Sequence, residues 1–132
     1  MKLIDVINPA TEELITQLRI DDGAAVTIKA QKARNAQASW AATSLAYRMA
    51  CIQRFRGLVL AQLDDLAKIM TQETGKPLGH SRNELNGFLG RVDFFLAEAE
   101  TILKTETVYK QDGMCEQIQH IPLGLIGNIS AW

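Results

Sequence analysis

Two thiols, two imidazoles and a Gly-Lys pair are the groups in this sequence with the clearest chemical potential, and their spacing limits what each can do. Cys51 and Cys115 could be nucleophiles, metal ligands or a disulfide. A nucleophilic thiolate needs a base or a positive charge to activate it, and neither cysteine carries a histidine beside it in sequence. Zinc would require clustered Cys and His at short spacing, and the chain has no Cys-x-x-Cys pair. Both cysteines read as reduced, small hydrophobes, Cys51 in a helical pattern and Cys115 in a strand pattern. His80 and His120 are isolated, which suits surface or structural histidines better than ligands. Gly75-Lys76 lacks the glycine spacing of a phosphate-binding loop and follows a helix rather than a strand, so it reads as a helix stop. Arg56 falls on the apolar side of its helix, where its head group needs a partner or a route to solvent.

Composition narrows the partners. Fourteen basic residues against fifteen acidic ones give a net charge of -1, so no positive excess exists to neutralise nucleic-acid phosphates or an anionic membrane. With 47% apolar and 22% charged residues, the chain can bury a core and is not of the disordered class. The first residues lack the apolar core and cleavage site of a signal peptide, and no window approaches the ~20 consecutive apolar residues of a membrane helix. These features lead us to expect a cytoplasmic protein with neither nucleic acid nor membrane as partner.

Any reactive side chain must be positioned by the elements around it. Ile4 and Val6 alternate with polar residues, and Pro9 keeps Asn8 out of helical dihedrals, so a strand over 3–9 and a turn at Asn8-Pro9-Ala10-Thr11 precede a second strand over 13–20. Asp21 or Asp22 can cap a helix whose stripe runs Val26, Ala30, Ala33 and Trp40, interrupted by Gln37. Ser44 can cap a second helix with Leu45, Met49, Ile52, Val59, Leu60 and Leu63 on one face, and Asp64 restarts a shorter one that Gly75 and Pro77 end. Leu85, Leu89, Val92, Phe95, Ala99 and Leu103 predict a long helix from Ser81 to about Leu103. Beyond it the period becomes two, and Asp112-Gly113 between runs 105–110 and 114–121 predicts a β-hairpin.

The run 122–129 is apolar on both faces, the pattern of a central strand in a parallel sheet covered by helices. A parallel neighbour needs a crossover of a dozen or more residues, and none follows before Trp132, so we expect a fold left unfinished within these 132 residues. That expectation requires the run to be covered by sheet neighbours, and finding it as an exposed coil, or satisfied wholly by residues of this chain, would overturn it.

Four segments, in order, resemble the aldehyde dehydrogenase superfamily. Asn8-Pro9-Ala10-Thr11 with Glu12-Glu13 is similar to an NPATxE turn. The pattern Val26, Ala30, Ala33 and Trp40 followed by Arg48 is the second. Glu73-Thr74-Gly75-Lys76-Pro77 after Asp65-Leu66-Ala67 is the third, and Pro122-Leu123-Gly124-Leu125-Ile126-Gly127-Asn128-Ile129-Ser130-Ala131-Trp132 resembles the PLGVxGxIxPW strand, with Ala131 where Pro is usual. The resemblance implies an α/β fold: the amino-terminal part of an aldehyde-dehydrogenase-like fold, with about four helices, a β-hairpin of the oligomerisation region and the first strand of the Rossmann-like cofactor-binding sheet. Residues 1–104 would hold the short strands and helical layer, 105–121 the hairpin, and 122–132 the strand.

It further implies NAD or NADP as cofactor of a complete enzyme, contacted by Ile129, Ser130, Ala131 and Trp132 at the carboxyl end of that strand, where open α/β sheets bind ligands. An aldehyde would be oxidised to a carboxylic acid through a cysteine thiohemiacetal, by a homodimer or homotetramer. The nucleophilic Cys, the general-base Glu and the oxyanion-hole Asn of such enzymes have no counterpart among these residues. We therefore assign no catalytic residue and no metal ligand, and expect the isolated chain to bind no cofactor and to be inactive. The alternative is a self-sufficient, non-catalytic protein-association module on the same scaffold.

Overall fold

A computed structural model describes residues 2–129. Along the chain run β1 (Leu3–Ile7), β2 (Leu14–Arg19), α1 (Gly23–Ala41), α2 (Leu45–Ala61), α3 (Leu63–Thr74), α4 (Leu78–Ile102), β3 (Glu106–Gln111) and β4 (Met114–Ile118). The four helices stand with two separate two-stranded antiparallel sheets, β1 with β2 and β3 with β4.

Local signals account for most boundaries. Asp22 takes extended dihedrals and its carboxylate accepts the Ala25 amide at 2.8 Å, which starts α1. The Ser44 hydroxyl does the same for α2 through the Tyr47 amide at 3.2 Å. Gly75 ends α3 in the left-handed region at φ 73°, its amide bonded to the Thr71 carbonyl at 2.9 Å. Asp64 and Asp65 lie in the first turn of α3, where negative charge meets the positive end of the helix dipole. Asp112 and Gly113 both have positive φ, 51° and 78°, the backbone that a two-residue hairpin turn with matching twist requires.

The dry part of the molecule lies among α2, α3 and α4. Val59, Ala67 and Leu89 are buried, and Ser81 is fully buried with its hydroxyl 2.8 Å from that of Thr71. A small pair of hydroxyls lets α3 and α4 approach closely while each polar group keeps a partner. Arg56 finds the partner its position demands: its guanidinium grips Asp93 through two bonds, 2.5 and 2.7 Å, tying α2 to α4. Arg82 reaches Asp64 at 2.8 Å and so links α4 to α3.

The structure corrects several expectations. On α4 the inward stripe is Leu85, Leu89, Val92, Leu96 and Ala99, and Phe95 is exposed. A strict alternation of four and three residues turns the stripe one position past Phe95, which the simple count included. Helix α4 also begins at Leu78 rather than Ser81, since Pro77 with φ -58° is compatible with a helix entry. Ile52 and Leu60 stay exposed on α2, so its inward face is narrower than the pattern suggested. Cys115 is exposed on the hairpin, whose every residue in β3 and β4 is open to solvent, while Cys51 is half-buried; both thiols are free.

The largest correction concerns 122–129. These residues form no strand: Leu123 is 91% and Ile129 98% exposed, and none pairs with another described strand. A strand's backbone bonds come from its neighbours, so an apolar run without a ladder partner among the described residues remains coil. The covered central strand expected from the sequence is therefore absent here. Kinship has to rest on other grounds.

Candidate functional site

The segments that carry the resemblance meet in two junctions. The first joins the turn after β1 to the end of α3. Asn8 holds the turn, its side-chain oxygen accepting the Ala10 amide at 2.9 Å and its carbonyl accepting the Glu12 amide at 2.8 Å. Glu12 takes a positive φ of 61°, which lets the chain reverse into β2. Pro9, at the tip, packs on Gly75: a Cβ built there would lie 3.0 Å from the Pro9 ring. Glycine is thus required at 75 both for its left-handed backbone and for the approach of Pro9. Lys76 beside it pairs with Glu84 at 2.5 Å, so the Gly-Lys pair serves a helix end and an ion pair.

The second junction is the corner between α1 and α2. Arg48 donates from one guanidinium nitrogen to the Thr43 carbonyl at 2.9 Å and the Ala41 carbonyl at 3.4 Å. Helix α1 has no basic residue in its last turn, so Arg48 brings positive charge from the next helix to the negative end of the α1 dipole. Trp40 packs edge-on against Tyr47 across the same corner, ring centres 6.3 Å apart. Trp40 and Arg48 line a cleft of about 310 Å³ with Gln37, His120, Pro122 and Gly124.

Of the sequence-derived cofactor contacts, Ile129 is described and lies in the exposed coil, apart from both junctions; Ser130, Ala131 and Trp132 fall outside the described residues. A dinucleotide needs a concave site with walls on several sides. At 98% exposure Ile129 has none facing it, so the described residues do not fit NAD or NADP by themselves. No group of three or more His, Cys, Asp or Glu among the described residues could hold a metal, and none of the described helices is long and apolar enough to cross a membrane. The sequence reading passed over the seat of Arg48. Two signals pointed to it: Gln37 breaking an apolar stripe, and a helix with no cation of its own at the carboxyl end.

The family model described as "Aldehyde dehydrogenase family" matches residues 1–132. The chain belongs to the aldehyde dehydrogenase family. Among curated relatives, "Probable succinate-semialdehyde dehydrogenase [NADP(+)]" of Sinorhizobium fredii (strain NBRC 101917 / NGR234) is 32% identical over 129 residues, which are 96% of this chain and 26% of that protein. The glutarate-semialdehyde dehydrogenase of Pseudomonas putida is 32% identical over 98% of this chain and 27% of its own length. A solved succinate-semialdehyde dehydrogenase from Burkholderia pseudomallei superposes with a TM-score of 0.76 at 29% identity, over 84% of this chain and 23% of that one. The chain thus spans about a quarter of the length of the curated relatives it matches, 26% in the first case. Membership places the two junctions in a dehydrogenase scaffold, with the helical layer and paired strands of the family's amino-terminal part.

Proposed function

We propose that these residues serve within an NAD(P)-dependent aldehyde dehydrogenase that oxidises an aldehyde to a carboxylic acid through a cysteine thiohemiacetal. The observation that carries this reading is the family match along the whole chain, 1–132, joined to the contact between Pro9 and Gly75 that makes two of the quoted motifs one structural unit. When bound, the nicotinamide supplies a hydride acceptor. This chain's own contribution is scaffolding: the helical layer, the corner held by Arg48, and the run 122–129. In the complete protein that run would gain sheet neighbours, and Ile129, Ser130, Ala131 and Trp132 would then contact the cofactor at its carboxyl end.

Exposed apolar surface supports a larger assembly. Val26, Ile28, Trp40, Leu123 and Ile126 are all open to water, more than a self-sufficient module would leave uncovered. That weighs against the rival reading of a non-catalytic association module. The β3–β4 hairpin, exposed on both faces, suits pairing with a neighbouring subunit of a homodimer or homotetramer through its free edges. The setting we propose is cytoplasmic.

The test is an assay of the protein expressed from its complete reading frame. Reduction of NAD or NADP should depend on added aldehyde, and the succinate, glutarate and malonate semialdehydes named in the relatives are the first substrates to try. The 132-residue chain alone should give no turnover. Absence of cofactor reduction by the full-frame protein across a broad aldehyde panel would remove the proposal.

A further inference from the structure

The run 122–129 has no ladder to hold it, yet its start is placed. Gly124, at φ +96°, sits against the Gln37 side chain, with a built Cβ 3.9 Å from the Gln37 amide carbon and nitrogen. His120 and Pro122 line the same cleft as Trp40 and Arg48. The wall opposite this entry is the α1–α2 corner, and what stiffens that corner is Arg48, bonded to the Thr43 and Ala41 carbonyls. Arg48 also borders the apolar groove between α2 and α4, beside Met49 and Leu96. Its stem therefore divides the groove from the cleft while its charge is spent on the helix end.

We propose that Arg48 is a positioning residue: by holding the end of α1 it fixes the wall on which residues 120–124 rest, and so sets where the run 122–129 departs from the helical layer. The inference deepens the dehydrogenase reading, on which the importance of that run rests. Its physical basis is that one guanidinium nitrogen donates both to the Ala41 carbonyl at the end of α1 and to the Thr43 carbonyl in the turn, and that a Lys ammonium, more strongly hydrated and on a more flexible stem, would hold the same oxygens less firmly. Without Arg48, the Ala41 and Thr43 carbonyls lose that donor, and the corner can hinge about Ala42 and Thr43.

The experiment compares hydrogen exchange by mass spectrometry in the full-frame protein and its Arg48→Met and Arg48→Lys variants. Arg48→Met should speed exchange in peptides covering 120–127 about tenfold, leave the α3–α4 peptides within about twofold of the parent, and Arg48→Lys should fall between. The graded response is what a merely space-filling role would not give. Unchanged exchange at 120–127, or loosening spread evenly through α2, α3 and α4, overturns the inference. Cofactor reduction by the parent protein is scored separately, so failure of the dehydrogenase reading and failure of the Arg48 assignment are read from different signals.

Discussion

Helices α1 and α4 both carry apolar residues at helical spacing, and they use them in opposite ways. Leu89 on α4 is 4% exposed, and Ala67 of α3 is fully enclosed. On α1, Val26, Ile28 and Trp40 remain open to water, and no residue of the helix is buried. Helix α1 nevertheless forms, because it is capped by Asp22, rich in alanine from Ala24 to Ala41, and 19 residues long, above the ~12–15 at which isolated helices become marginal. Local propensity can make a helix; burial is what makes one contribute to a core. The difference separates the helices that pack on one another from the one whose apolar residues face water.

Substitutions can break that contrast or sharpen it. Leu89→Ala should cost the most, about 3 kcal/mol, because it removes buried methyls and leaves a cavity, whereas Val26→Ala on α1 should cost under about 0.5 kcal/mol. Urea unfolding of the two variants measures the gap, and equal losses would mean that α1 is packed after all. Gly75→Ala should cost about 1–2 kcal/mol for a left-handed backbone, raised by the approach of Pro9; relieving that approach with Pro9→Ala in the same chain should recover part of it.

A smaller effect concerns the ion pair between α2 and α4. Hydrogen bonding to the Arg56 guanidinium holds the Asp93 carboxyl below its usual range. A depressed carboxylate stabilises the fold above the unfolded pKa, near about pH 4, and that stability is lost as pH falls through the lower folded value. Both side chains are partly open to solvent, so the contribution should be small. Thermal melts of Asp93→Asn should show a reduced midpoint at pH 7 that converges on the parent under strongly acid conditions. The smallest change is expected for Leu123→Ser, without effect on the midpoint of the 132-residue chain because Leu123 is 91% exposed. The same substitution in the full-frame protein should destabilise measurably if the run becomes a covered strand, and a null result there would count against the proposed sheet.

Much of this architecture was legible in the residues. Both helix caps at Asp22 and Ser44, the stop at Gly75, and the hairpin turn at Asp112-Gly113 depend on side chains or glycines acting within a few residues of themselves. The need of Arg56 for a partner was also visible, though not that the partner would be Asp93, 37 residues away. Phe95 was misread because a stripe drifts around a long helix and only the facing helix decides which residue turns inward. Of the candidate cofactor contacts, the described one, Ile129, lies in an exposed coil, while Arg48 was legible only as part of a motif, because its bonds run to backbone carbonyls, which residue type does not name.

What the amino-acid order determined by itself is the four helices and two strand pairs, several of their ends and the family to which they belong, since caps, turns and periodicities are short-range and survive without a partner. Tertiary structure alone decided that Pro9 presses on Gly75, that Arg48 secures the corner beside His120 and Gly124, and that Leu123 to Ile129 stay unpaired. Those outcomes turn on which surfaces are present to meet one another, and backbone groups of a strand or an apolar face of a helix carry no instruction that can be satisfied until such a surface arrives.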